Sequence, residues 1–220
     1  MKQPAINWPN AIKPLLKKYG NTRHPLEAEN RYQLLVMVVL SAQTTDNIIN
    51  IIAPELFNAF PDMQALSKAT PELLFPYITK VRSFRQKATR LIALAKEIKT
   101  NSRIPLKMEE LVELPGIGRK SANVIRRETK QTPEGVVVDL HVVRVASRLG
   151  IVITENAEKI EEQLMEVLPQ KQWDAGMALS FLGREICRPQ PLCPICPMKK
   201  VCAYYNKWKV LKITVNTRKK

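Results

Sequence analysis

Three observations predict an all-α protein. Apolar residues recur at helical spacing wherever a period can be measured. No stretch sustains the apolar/polar alternation of a half-buried strand. The chain of 220 residues has only 7 glycines, while its 16 prolines mostly fall between periodic segments, as at Pro54, Pro61, Pro71, Pro76, Pro105, Pro115, Pro133 and Pro169. The one β-branched run, Val136 to Val138, is too short to found a sheet.

In chain order, Leu91, Ile92, Leu94, Ala95 and Ile98 make the first clear stripe. Leu111 to Ile125, LVELPGIGRKSANVI, reads as a helix ending near Glu113, a turn with two glycines around Ile117, and a second helix from about Arg119. A turn of this kind needs glycine where φ is positive and where backbone approaches something closely, which is expected of Gly116 and Gly118. The free N–H groups that open the next helix then point outward and can hold a phosphate, with Arg119 and Lys120 directly behind. Asp139 is an expected N-cap for a run through Val142, Val145, Ala146 and Leu149. Thr154 is expected to cap a helix carrying Ile160, Leu164, Val167 and Leu168, which stops at Pro169. Trp173, Met177 and Phe181, four apart, form the last stripe.

Composition narrows the function. Lys and Arg number 35 against 20 Asp and Glu, a formal net charge of +15, so the partner is expected to be a polyanion, most commonly nucleic acid. The bases are not evenly spread: Lys80, Arg82, Arg85, Lys87, Arg90 and Lys96 occupy a stretch without acids, and another basic run extends from Lys207 to Lys220. The longest apolar run, Leu34 to Leu40 and on to Ala42, is far short of the roughly 20 residues of a membrane span. A soluble, cytoplasmic protein is expected. All four cysteines, Cys187, Cys193, Cys196 and Cys202, lie within sixteen residues. A secreted disulfide framework does not look like that, and the spacing leaves a four-thiolate zinc site and an iron-sulfur cluster both open.

The ordered set SAQTTD (Ser41 to Asp46), LPGIGRKSANVI, VVVDLHVVRVASRLG and the clustered cysteines resembles the endonuclease III family of helix-hairpin-helix DNA glycosylases, over about Tyr32 to Tyr205. The resemblance implies a six-helix barrel domain with the hairpin, 24–136, and a helical domain from 1–23 and 137–220 that holds a 4Fe-4S cluster on the four cysteines. DNA is implied at the cleft between them. It favours iron-sulfur over zinc. It implies a monomer acting on double-stranded DNA with damaged bases or abasic sites.

By the same resemblance Lys120 is the catalytic lysine, whose amine attacks the sugar at C1′, and Asp139 the catalytic aspartate. An amine attacks only when neutral, a form that the positive end of a helix and partial burial are expected to favour at Lys120. Gln43 matches the residue that fills the gap left by an extruded base, and His141 is placed to contact that base. The chain departs from the family at Val81 to Ala88, where Ser83 stands in place of an aliphatic or aromatic wedge, so opposite-strand contact is expected to pass to Phe84 or Arg85. Leu140 replaces a customary threonine. The reading is a glycosylase with abasic-site lyase activity, with oxidised pyrimidines the expected substrates. A monofunctional glycosylase for alkylated or deaminated bases and a non-catalytic DNA-binding iron-sulfur protein are the alternatives.

Overall fold

The structure, a computed structural model, describes residues 6–207. The basic run from Lys207 onward therefore lies outside the described residues except for Lys207 itself. Among the described residues the fold is all-α with no strand, and no helix is long and apolar enough to cross a membrane. The helices are α1 (Trp8–Ala11), α2 (Lys13–Tyr19), α3 (Arg31–Ser41), α4 (Asp46–Ala59), α5 (Met63–Lys68), α6 (Pro71–Ile78), α7 (Phe84–Ile98), α8 (Met108–Glu113), α9 (Arg119–Glu128), α10 (Leu140–Leu149), α11 (Ala157–Val167) and α12 (Ala175–Glu185). The chain divides into two compact units: Arg23–Thr132, and the described residues up to Thr22 together with those from Pro133 on.

In the first unit α3 is the central helix. Every residue from Leu34 to Leu40 is buried, because α4, α7 and α9 all pack on it. A helix apolar all round is stable only in such a position. Asn30 caps its start by accepting from the Gln33 N–H. α7 presents Ala88, Leu91, Ile92, Leu94, Ala95 and Ile98 to the core, the predicted stripe. α8 and α9 pack as the two arms of the hairpin.

In the second unit α12 lies against α10 and α2. The Tyr19 ring stacks on Phe181 at 6.0 Å, and its hydroxyl donates to Glu185 at 2.7 Å. Val136 to Val138 are buried without forming a strand, and they run directly beneath α12. A Cβ built on Gly176 would lie 2.4 Å from the Val137 carbonyl oxygen, and one on Gly183 would lie 2.8 Å from the His141 Cβ. Glycine is required at both places for approach.

Three local expectations are corrected. Pro54 and Pro76 lie inside α4 and α6, not between helices. Both prolines are exposed, so neither ring takes the place of a core side chain. The cap of α11 is Asn156, which accepts from the Lys159 N–H at 3.0 Å, while Thr154 accepts from the Asn156 N–H and shapes the approach. Trp173 precedes α12 and donates to the Leu168 carbonyl, so the last stripe is Met177 and Phe181 alone.

Replacing Gly176 by Ala puts a methyl into the Val137 backbone. Urea denaturation is expected to show a loss of about 1–3 kcal/mol or more, the cost of overpacking. Unchanged stability would mean that α12 does not lie this close to the chain entering Asp139.

Candidate nucleic-acid and catalytic site

The hairpin turn is built as the sequence suggests, with one difference. Gly116 has φ +87°, and its α-carbon faces Val39 and Arg90, either of which a Cβ would meet at 3.4 Å. Gly118 instead has an ordinary extended backbone, φ −96° and ψ 173°, as the N-cap of α9. No atom lies within 4 Å of a Cβ built there. Its lack of a side chain leaves the start of α9 open instead of serving the turn. Arg119 and Lys120 are the first two residues of α9, and both are exposed. The expected partial burial of Lys120 is therefore corrected: Lys120 follows an open cap and is exposed. Further along the same helix, Arg126 is buried, donating to the Leu106 and Thr132 carbonyls, and Arg127 pairs with Glu128. Arg126 thus ties the end of α9 to the flanking loops.

The junction after α3 carries Gln43, exposed and in the left-handed region at φ +55°. Ser83, at φ +55°, opens α7 in the same conformation. Between these two corners sits Lys87, which is only 5% exposed. Its amine donates to the Leu40 carbonyl at 2.7 Å, the Ala42 carbonyl at 2.5 Å and the Thr44 hydroxyl at 3.3 Å. Desolvation, then the charges of Arg90 and Arg82, bring its pKa down to about 8. Phe84 meets Phe75 edge to face at 5.2 Å, and the Arg85 guanidinium lies 5.3 Å from the Phe84 ring centre.

In the second unit Asp139 is the N-cap of α10. One carboxylate oxygen accepts from the His141 and Val142 N–H groups at 2.9 and 2.8 Å. The other accepts from the Ser180 hydroxyl at 2.6 Å and lies 3.7 Å from the Arg184 guanidinium. Ser180 is fully buried on α12. His141 Nδ1 lies 3.1 Å from Arg144, and Arg144 also donates to the carbonyls of Gly183 and Cys187. Leu140, by contrast, is 83% exposed.

The four cysteines line one pocket, shared with Val145, Arg148, Leu182 and Tyr204 among others, of about 360 Å³ including its opening. Arg148 lies 3.6 Å from the Cys187 sulfur, donates to the Arg188 and Pro189 carbonyls and packs on the Tyr204 ring. Burial pushes the thiols of Cys193, Cys196 and Cys202 up, and the neighbouring cysteines push the same way. Backbone N–H groups of Met198, at Cys196, and of Tyr204 and Tyr205, at Cys202, oppose the rise. Among the described residues no three His, Cys, Asp or Glu side chains converge as a single metal ion requires.

Comparison with known proteins then decides the family. Residues 36–170 match the HhH-GPD superfamily of base excision DNA repair proteins. Endonuclease III of Thermotoga maritima is 38% identical over 181 residues, 80% of this chain and 84% of that one; Endonuclease III of Rickettsia felis is 38% identical over 183 residues, 81% and 85%. The chain belongs to the Endonuclease III family. As a member it is a DNA glycosylase of base excision repair. Its fold is similar to that of a trapped Endonuclease III–DNA covalent intermediate, with TM-score 0.82 and 30% identity over 91% of this chain and 96% of that one. A thermostable thymine-DNA glycosylase, TM-score 0.78 and 21% identity, shares the fold alone.

Against this Endonuclease III background, the residues that sequence reasoning passed over are the ones that hold others in place. Lys87 was named only as one base in a run, and Ser180, Arg144, Arg148 and Arg184 were not named. Arg144 and Arg148 are i, i+4 neighbours on the side of α10 away from the Val142, Val145, Ala146 and Leu149 stripe, where charges are ordinary and nothing in the pattern marks them.

The lowered pKa of Lys87 has a pH signature. The folded state releases its proton near pH 8 and the unfolded state near 10.5. Between those values the unfolded chain binds more protons, so the contribution of Lys87 to stability rises with pH. The difference in urea midpoint between wild type and Lys87→Met is expected to grow in favour of wild type from pH 7.5 to pH 10, values chosen about that window. A constant difference would contradict the buried, depressed amine.

Proposed function

We propose that this chain removes damaged bases from double-stranded DNA, oxidised pyrimidines foremost, and then cleaves the abasic strand by β-elimination. The observation that carries the reading is Lys120 itself: an exposed amine on the first turn of α9, directly after a glycine cap with no atom over its open side. A phosphate held by the hairpin N–H groups, with Arg119 beside it, brings a deoxyribose within reach of that amine.

The chemistry follows from the groups. The Lys120 nitrogen bonds to C1′ as the C1′–base bond breaks, and the base leaves with the electron pair and takes up a proton. Opening of the sugar ring gives an imine between Lys120 and C1′. Loss of a proton from C2′ then expels the 3′-phosphate, and water hydrolyses the imine to regenerate the amine. Asp139 supplies a fixed negative charge for the cationic sugar and a site for proton transfer. Its backbone N–H and Ser180 bonds hold the carboxylate in one orientation for that task. Gln43 fills the space of the extruded base, and His141, steadied by Arg144, contacts the base. The covalent intermediate trapped between an Endonuclease III and DNA supports a covalent route in this relative too.

Cys187, Cys193, Cys196 and Cys202 would hold a 4Fe-4S cluster. Four thiols around one pocket fit an electropositive group, which relieves the cost of the buried thiolates. When bound, the cluster cross-links the 187–202 segment. Arg148 anchors that segment to α10 through the Arg188 and Pro189 carbonyls.

Borohydride reduces an imine to a stable amine. Wild-type protein is expected to become covalently linked to abasic-site duplex in its presence, and Lys120→Gln to lose the link while still binding the duplex. Base release without linkage would mean a monofunctional glycosylase. Binding with neither release nor linkage on any lesion would overturn the enzymatic reading.

A further inference from the structure

Of the six bases between Glu72 and Glu97, five are exposed and one, Lys87, is buried. The catalytic reading does not use it. Its three ammonium protons meet three acceptors, the Leu40 and Ala42 carbonyls and the Thr44 hydroxyl, and no donor is left over. Those acceptors flank Gln43 on both sides. The same Thr44 hydroxyl also accepts the Arg82 N–H at 3.2 Å, and Arg82 directly precedes Ser83. Lys87 therefore sits at the centre of a knot that joins the two left-handed corners, Gln43 and Ser83, both exposed.

A left-handed conformation is costly for a residue with a Cβ and persists only where the surroundings over-determine it. Two such residues, each at a helix end and both tied to one buried side chain, are more than a connection between α3 and α7 requires. The charged groups that act on the amine are Arg82 and Arg90. Both oppose its charge, so the acceptors and not an ion pair hold it there.

We propose that Lys87 is a positioning residue for base extrusion, locking the corners at Gln43 and Ser83 as one rigid pair preset to enter the duplex where a nucleotide leaves it. The inference rests on the proposed reading, in which Gln43 fills the vacated space. Rigidity matters because extrusion costs unstacking energy, and a filling side chain that must first be ordered returns less of it. Ser83 has no bulk to wedge bases apart. Its contribution is the direction the backbone takes into Phe84 and Arg85.

The test compares two abasic-site duplexes, one intact and one lacking the nucleotide opposite the site, where no space needs filling. Single-turnover strand cleavage is measured for wild type, Lys87→Met and Thr44→Val, the last keeping the shape of Thr44 while removing the shared acceptor. Both variants are expected to cleave the intact duplex roughly tenfold to a hundredfold more slowly, as small misplacements do, and the gapped duplex within a few-fold of wild type. Should Lys87→Met fail to fold, Thr44→Val carries the comparison. Equal losses on the two duplexes, or no loss on either, would overturn the positioning role. Wild-type protein that cleaves neither duplex would overturn the lyase reading itself, and the inference with it.

Discussion

The close seat of α12 on the chain that enters α10 is the constraint on which the second unit depends. Gly176 and Gly183 remove the side chains that would hold the two apart, and only at that distance does the buried Ser180 hydroxyl reach the Asp139 carboxylate. The carboxylate then has both oxygens engaged, one by the first N–H groups of α10 and one by α12. An N-cap alone fixes the start of a helix; a cap held also from a second helix fixes a charge in space. The Arg144 bonds to Gly183 and Cys187 extend the same arrangement to the cysteine segment, so helix packing, the acid and the cysteine loop form one connected body within this unit.

The first unit solves a similar problem by other means. Its hairpin needs an open helix start, which Gly118 provides by having nothing near it, and a tight turn, which Gly116 provides by its positive φ. Its second exposed feature, the pair of corners at Gln43 and Ser83, is held from beneath by a buried amine and not by packing. A lysine in that place is electrostatically unfavourable, and its lowered pKa measures the cost. Polar atoms of three residues, Leu40, Ala42 and Thr44, are satisfied in return.

Much of this was legible in the sequence because it depends on period and local chemistry. The α7 stripe, the arms of the hairpin and the Asp139 cap follow from spacing and from residue types at helix ends. What was not legible depends on distance in space. Pro54 and Pro76 are compatible with helices because their rings face solvent, and Thr154 lost the cap to Asn156 through a turn that no pattern announces. Partial burial was expected of Lys120 from the role the resemblance implies, whereas Gly118, two residues before it, leaves the start of the helix open. Lys87 and Ser180 could not be singled out at all, since their importance lies in partners 47 and 41 residues away.

The central claim is that Asp139 acts by its charge and not merely as a cap. Asp139→Asn separates the two, because asparagine caps a helix about as well as aspartate, and its amide can still meet Ser180. The decisive measurement is single-turnover base excision by this variant, taken together with its urea stability and its affinity for lesion duplex. The account predicts stability within about 1 kcal/mol of wild type, retained binding, and an excision rate lower by about 10²–10⁴. Excision at the wild-type rate by a stable Asp139→Asn protein would contradict it.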